Sequence, residues 1–445
     1  MPPEFFNREF IESSSIFMIV CFLKLCKYKA KANHVSLCLF CGNNLSRKKR
    51  VLRLNLEQKV KDIYSEMVQW RRHLHQYPEL SFQEKETSAY ISHILESMGL
   101  EVLKVGIGYG LTVLIQGGNP GPTVALRADI DALPIQDGKS SEFASKVAGI
   151  MHACGHDAHT ATLLGIAKIL SSMREHLHGN IKLIFQPAEE MSPGGALPMI
   201  ADGVLDGVDV IYGVHLWSPF PLGTMYCKSG PIMAAADEFT IEIRGKGGHG
   251  GLPHETVDSV VIGSQLVINL QTIVSRNLNP TEPAVVSVGS IHAGSNFNVI
   301  AERCILNGTV RTFNMVTRDY IIERIEEIAA HTCAMYGADY KVEYKKGYPT
   351  VVNDKVEAER FFRVAQATIG AENTKECSLI MAGEDFSYYL QKVPGCYIFV
   401  GAGNPSKGIV APHHHPRFTV DEEAMQNSAI MLMSLALDYL EESTG

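Results

Sequence analysis

Three apolar runs in this chain end in the same way, and that limits the fold more than any other feature. Thr123–Leu133 reads TVALRADIDAL, Asn180–Glu190 reads NIKLIFQPAEE and Val208–Leu216 reads VDVIYGVHL. Each starts as an apolar stretch suited to a buried strand and finishes in charged residues or a histidine. CYIFV at Cys396–Val400 closes the series. Helical spacing surrounds these runs: Val60, Ile63, Met67, Trp70 and Leu74 share one face, Glu86–Met98 repeats the signature, and Ala158–Leu177 and the tail from about Val420 continue it. Thr419, three residues before Glu422, offers the last helix a capping box. Strands alternating with helices imply an α/β sheet covered on both faces. Polar residues at the C-terminal ends of such strands are where these sheets bind ligands.

The middle of the chain follows another rule. Glu238–Arg244 alternates, with Phe239, Ile241 and Ile243 on one face. A helix is expected at Val257–Arg276, strands at Ala284–Ile291 and Arg303–Arg311, a helix at Arg318–Met335 and a strand at Asp339–Tyr344. The order is βαββαβ, the ferredoxin-like arrangement. Roughly 110 residues suffice for an independent core. The earlier strand pattern resumes only after Tyr348, so this unit reads as an insertion. Residues 56–236 and 347–445 then form one domain, 237–346 a second, and 1–55 an N-terminal extension.

Composition excludes several partners. A formal net charge of -8 argues against nucleic acid and anionic membranes. Ten cysteines without a dense framework read mostly as free thiols of a reducing compartment, the cytoplasm. Cys227, Cys304, Cys333, Cys377 and Cys396 sit in apolar stretches and read as core. The apolar run Ile16–Leu23 is eight residues long, too short for a membrane span, which takes about 20. Glu4, Glu9 and Glu12 precede it against a single Arg8, unlike a signal peptide. Cys38-x-x-Cys41 is a lone pair with no second pair nearby, followed by RKKR at Arg47–Arg50. The extension reads as non-native or mis-started and disordered; a membrane-associating leader is the alternative.

The stretch Met151–Thr160, MHACGHDAHT, places three histidines, a cysteine and an aspartate in ten residues. A thiolate and an imidazole two residues apart at a helix entry suit zinc or another first-row metal. The helix N-terminus also favours an ionised Cys154. Alone, the stretch is ambiguous, the alternative being a helix start capped by Asp157 with incidental histidines. Further donors fall where the strands share a rim: Glu189 and Glu190 end one strand, His215 ends another, and His413, His414 and His415 precede Pro416. Two adjacent carboxylates beside a cation divide the labour, one binding metal and the other moving a proton.

With these motifs in view, the chain resembles the M20 family of metallopeptidases and amidohydrolases. Within it, the chain is most similar to the N-acyl-amino-acid amidohydrolases, which include hippurate and auxin-conjugate hydrolases. The resemblance rests on WRRHLHQYPELSF from Trp70, RADIDALP from Arg127, HACGHDAH from His152, QPAEE from Gln186 and GVHL from Gly213. It continues through GGHG from Gly247, FNVI from Phe297, MAGEDF from Met381 and HHHP from His413, covering the chain from about Leu56 onward.

The resemblance implies a zinc-peptidase-like catalytic domain, with helices on both faces of a mixed sheet, and a ferredoxin-like lid and dimerisation domain. It implies two divalent metal ions, of zinc, manganese, cobalt or nickel, held by Cys154, His156, Glu190, His215 and His414. His414 is selected because the family's ligand stands two before the proline. Glu189 matches the general base. Where the wider superfamily has His-x-Asp this chain has Arg127-Ala-Asp129, so Asp129 orients a ligand rather than binding metal. His152 and His159 stand behind the ligands; His73 and His75 are structural.

His249, in GKGGHGG, reads from its residues as an exposed turn histidine. The resemblance implies that it reaches a neighbouring active site and polarises the scissile carbonyl, which makes a homodimer necessary. Asn298 and Arg311 match positions that hold the substrate carboxylate, Arg311 by its bidentate fork; otherwise they are sheet-edge polar residues. Glu384 and Asp385 support the site without a step of their own. The implied reaction is hydrolysis of the amide bond of N-acyl-L-amino acids. The alternatives are an N-acetyl-diaminopimelate deacetylase, a dipeptidase, or a metal-containing binding protein without turnover.

Overall fold

The structure, a computed structural model, describes the backbone of residues 34–443 and the side chains from Asn55 onward. The run Ile16–Leu23, the thiols of Cys38 and Cys41 and residues 1–33 of the extension lie outside the described residues. The chain divides into two units, residues 1–58 and 59–445. The first is helical from His34, in a helix His34–Gln76 that starts well before the expected Val60. Among the described residues no helix is long and apolar enough to cross a membrane.

The second unit is built on an eight-stranded mixed sheet. Its order is Val102–Lys104, Leu111–Gln116, His178–Gln186, Asn119–Asp129, Val210–Pro221, Gly395–Gly403, Met225–Cys227 and Thr374–Glu376. The four central strands, from His178–Gln186 to Gly395–Gly403, run parallel, so their C-terminal ends share one rim. Parallel strands need cover on both faces. The helices His156–Ser172 and Glu423–Glu442 supply it on one side. On the other, Met199 of the short helix Ala196–Ala201 and Phe386 of Phe386–Leu390 close over Ala125, Ile184, Ile211 and Phe399.

Two strands stop earlier than expected. His178–Gln186 ends before Pro187, which has no N–H for the ladder, and Ala188 turns away at φ +55°. Asn119–Asp129 ends before Asp131. Ala188–Glu190 and Asp131 are therefore rim loops rather than strand. The capping box at Thr419 and Glu422 does not form. The last helix starts at Glu423 with no side-chain cap. Arg71 Nη2 donates to Thr419 Oγ1 at 3.1 Å, and Arg72 grips Glu422 with Nε and Nη2 at 2.9 and 2.8 Å. Those cations take the groups the cap would have used.

The segment 237–346 forms the four-stranded antiparallel sheet, ordered Ala284–Ala293, Arg303–Thr312, Ala235–Arg244, Asp339–Lys345. That order is the ferredoxin-like one. Phe239, Ile241 and Ile243, the expected face, meet the helices Ser259–Leu270 and Met315–Tyr336 over a buried core. The first of these helices is shorter than expected: Asp258 caps it, accepting from Val260 N at 2.9 Å, and a wider turn, Ile273–Asn277, follows it.

Candidate metal centre

Helix His156–Ser172 begins at the rim. Gly155 before it sits at φ +103°, in a region side chains avoid, and makes the turn between Cys154 and His156. Asp157 does not cap this helix as expected. It is buried and accepts from His75 Nδ1 at 2.8 Å and Arg71 Nε at 3.1 Å, which gives His75 its structural role.

Cys154, His156 and Glu190 each bring a ligand atom within 4.8 Å of the others, and so do Cys154, His215 and His413. Cys154 belongs to both groups. Its Sγ lies 3.4 Å from His215 Nε2, and His414 Nε2 lies 3.4 Å from Glu190 Oε1. All five residues expected as ligands thus converge. His413, passed over in favour of His414, is beside them, its ring stacked on Trp217 at 4.2 Å and its Nε2 on Leu216 O at 3.1 Å. His414 itself sits at φ +63°, unusual for a residue with a side chain, and its N–H donates to Ala153 O at 2.8 Å. That bond fastens the C-terminal loop to the Cys154 loop.

The orientation of His156 comes from Asp131, whose carbonyl and Oδ1 lie 3.0 and 3.1 Å from Nδ1. Nε2 then faces Asp129 Oδ2 at 3.7 Å, Glu190 Oε1 at 3.9 Å and Glu189 Oε2 at 4.0 Å. His156 Nε2 and Glu190 Oε1 are buried without a hydrogen-bond partner. A divalent cation fits these groups. Its nitrogen and oxygen ligands stand about 2.0–2.2 Å from the ion, which spaces neighbouring ligand atoms by roughly 3–4 Å. Asp129 is already engaged, with Oδ1 on His159 Nδ1 and Oδ2 on Arg127 Nη1, both at 2.7 Å. His159 Nε2 accepts from Leu216 N at 2.9 Å.

Burial dominates the electrostatics. It pushes the Cys154 thiol well up, and Glu190 and Glu189 push further. These groups oppose the ionised thiol that the helix N-terminus favours. A cation at the site is what would favour the thiolate. Burial lowers His215, and lowers His413 to about 3, leaving neutral rings. Burial also opposes charge on His156, but Asp129 and Asp131 outweigh it and raise the ring to about 10. Glu189 is held well above the usual carboxylate range by burial, then by Glu384 and Glu190. A buried carboxyl so perturbed suits proton transfer.

Sequence reasoning missed the residues that hold the Ala188–Glu190 backbone. Glu84 Oε1 accepts from Ala188 N at 2.8 Å, Asp131 Oδ2 accepts from Glu190 N at 2.9 Å, and Tyr348 Oη donates to Glu189 O at 2.6 Å. Arg127, fully buried, was also missed. It reaches Asp385 Oδ1 at 2.9 Å, Glu384 Oε1 at 3.1 Å and Gln186 Oε1 at 2.9 Å. Asp131 carried a signal, two residues beyond Asp129; Glu84 and Tyr348 carried none.

The inserted sheet presents the other expected residues. His249 pairs with Val299 in a two-strand ladder, and Gly250 N donates to Asn298 O at 2.8 Å. His249 and Asn298 are therefore neighbours, both exposed. Arg311 lies on another strand, opposite Ala236, with its guanidinium on Thr309 Oγ1 and Val310 O. Among the described residues, no hydrogen bond or ion pair ties these three to Glu189 or Glu190.

The family model for peptidase family M20/M25/M40 matches residues 125–438. YhaA of Bacillus subtilis (strain 168), provisionally named an amidohydrolase, is 49% identical over 388 residues, 87% of this chain and 98% of that one. The N-acyl-L-amino acid amidohydrolase of Geobacillus stearothermophilus is 47% identical over 298 residues, 67% of this chain and 80% of that one. The crystal structure of the Bacillus subtilis YXEP protein, described as a dinuclear metal binding peptidase from the M20 family, superposes with a TM-score of 0.74. It is 38% identical, and the match covers 86% of this chain and 99% of that one. The chain belongs to peptidase family M20/M25/M40.

Proposed function

We propose that this protein is a metal-dependent amidohydrolase that releases free amino acids from N-acyl-L-amino acids. The observation that carries the reading is the convergence of Cys154, His156, Glu190, His215 and His414 beside a buried Glu189. Two divalent metal ions held by those five residues would supply a water of lowered pKa and polarise the scissile carbonyl. Glu189 takes a proton from that water and returns it to the leaving amine, a two-way transfer suited to a carboxylate beside the water. Asp131 holds His156 in one ring orientation, and Asp129, braced by Arg127 and His159, faces its other nitrogen. The names of the amidohydrolase relatives support the same reaction class.

His249 donates to the carbonyl oxygen as charge develops there, with Asn298 and Arg311 on the substrate carboxylate. His249 acts in the active site of a second copy of the chain. Two features of the 237–346 unit support this dimer. The strand Ala284–Ala293 is an unpaired sheet edge, and edges of that kind template pairing. The adjoining helix Ser259–Leu270 turns Val261 and Ile268 to solvent, 50% and 62% exposed. On this reading the 237–346 unit is both lid and dimerisation surface. Among the described residues, six buried cysteines with free thiols support a reducing, cytoplasmic setting.

The test is amine release from N-acetyl-methionine, benzoyl-glycine and N-acetyl-diaminopimelate, with zinc, manganese, cobalt or nickel added. Hydrolysis of the first two, lost in Glu189→Gln while metal stays bound, is the expected result. Turnover of the diaminopimelate derivative alone would instead place the protein in lysine synthesis. No release from any of them with any metal would sink the proposal.

A further inference from the structure

The Ala188–Glu190 backbone is held at three points, and one of them comes from the chain just after the inserted sheet. Glu84 and Asp131 hold the two flanking N–H groups, and Tyr348 Oη holds the Glu189 carbonyl. Tyr348 stands three residues past the strand Asp339–Lys345. Its own carbonyl accepts from Ala236 N at 3.0 Å, where the chain enters the four-stranded sheet.

The entrance and exit are bound into one node by Asp237, which is buried. Its carboxylate pairs with Arg318 of the helix Met315–Tyr336, accepts from Gly347 N at 2.9 Å and accepts from Tyr344 Oη at 2.7 Å. Arg318 Nη2 also donates to Gly347 O at 3.1 Å. A helix, both chain crossings and the residue before Tyr348 are thus joined by hydrogen bonds to one carboxylate. Tyr348 is itself buried, edge-on to Tyr388 at 6.2 Å, and it is joined to the node through its neighbour Gly347 and through its own carbonyl on Ala236 N.

We propose that Tyr348 is a positioning residue: it transmits the placement of the 237–346 unit to Glu189 through the bond from its hydroxyl to the Glu189 carbonyl. Rotation of that unit about its two crossings carries the Asp237 node and the Tyr348 ring, and with them the backbone of the proposed base. A misplacement of about 1 Å at a reacting group can cost roughly 10²-fold in rate, so a small rotation is enough to turn the base on or off. This rests on the reading of Glu189 as the base.

The test uses the full-length, metal-loaded protein and four variants: Glu189→Gln, Tyr348→Phe, Tyr344→Phe, and the last two combined. Steady-state kinetics, metal content and thermal midpoint are read for each. Tyr348→Phe keeps the ring and removes only the bond. It is expected to lower kcat about tenfold, the loss of one buried hydrogen bond at a reacting group, with KM and metal content unchanged. Tyr344→Phe loosens the node without touching Glu189. It is expected to lower kcat in the native background and to have no effect once Tyr348 has been replaced, the non-additivity of a shared path. A purely structural hydroxyl would lower the thermal midpoint and leave kcat alone. An unchanged kcat in Tyr348→Phe, a loss matched by lost metal, or a Tyr344→Phe effect that is absent or survives in the double variant overturns the proposal. Wild-type turnover in Glu189→Gln overturns the reading of the base instead, so the two failures are told apart.

Discussion

At the rim of the eight-stranded sheet, His156, Asp129 and Glu189 are buried and each is oriented by a bond from another element. In the 237–346 unit, His249 stands exposed in a ladder of two residues per strand, and Asn298 stands exposed just before the partner strand. The first arrangement is complete within one folded chain. Side chains and backbone hold one another before any ligand arrives, as a metal centre requires. The second has its backbone placed and its side chains exposed, with His249 Nδ1 accepting from Gly251 N at 3.0 Å within its own turn, so what brings His249 to work lies outside its immediate surroundings. The proposed site therefore pairs a pre-built half with a half delivered by assembly or motion, and the two halves respond to substitution differently.

The sharpest break comes at Cys154, which belongs to both donor groups. Cys154→Ala should reduce metal content at both positions. Its effect should exceed the roughly 10- to 100-fold loss of affinity typical when a residue behind a ligand is changed. Full occupancy by metal analysis would show that Cys154 is not shared. The next largest effect tests the delivered half. His249→Ala should lower kcat about 10²- to 10³-fold, as loss of an oxyanion donor does, with metal content intact. His249→Ala and Glu189→Gln should each be strongly impaired alone, and mixing them with exchange of subunits should restore activity. The mixed dimer has one site with Glu189 from one copy and His249 from the other. A mixture that stays inactive while each variant still forms dimers would place His249 in its own chain's site and dissolve the contrast. Asp131→Asn follows, with a roughly 10- to 100-fold loss of metal affinity, because Asp131 fixes the His156 ring from behind. Isothermal titration with zinc measures it.

The uneven legibility of these halves has a physical cause. The main sheet was readable because a buried parallel strand must be apolar and must shed its polar residues at one end, as LIFQPAEE at Leu183–Glu190 does. The ferredoxin-like unit was readable because Phe239, Ile241 and Ile243 alternate against helices of ordinary length. The donors were readable because sulfur, imidazole and carboxylate cluster at strand ends. What escaped was everything fixed by contacts between distant segments. Arg127 reads as a strand charge until Glu384 and Asp385, some 250 residues later, close around it. Asp157 reads as a helix cap until Arg71 and His75 claim it. The thiol of Cys154 reads as activated by its helix, against which stand its burial and then the charges of Glu190 and Glu189. Thr419 and Glu422 read as a capping box until Arg71 and Arg72 bind them. In each case the local pattern was intact, and burial or a charge from elsewhere acted against it.

The smallest expected effect on rate is at Glu84, and it probes how tightly the pre-built half is held. Glu84 is fully buried, and burial, then the charge of Asp131, raises its carboxyl from 4.5 to about 7. Oε1 accepts from Ala188 N, while Oε2 has no partner. Between pH 4.5 and about 7 the folded chain keeps a proton on Glu84 that the unfolded chain has released. Folded-state stability therefore falls as pH rises through that window, and the penalty is constant above it, where both states are ionised. Glu84→Gln keeps an oxygen for Ala188 N–H and removes the buried charge. Its stability relative to the native chain should be nearly even or slightly lower at pH 4.5. It should improve steadily to pH 7, by about 2 kcal/mol, and stay level beyond. Groups elsewhere titrate alike in both proteins and cancel in the difference. Paired urea unfolding curves across pH 4.5–8 measure it. A difference that does not change with pH would show that the Glu84 carboxyl keeps its ordinary affinity for protons. The Ala188 backbone would then be held by an ionised group, a tighter clamp on the Glu189 loop than a protonated one.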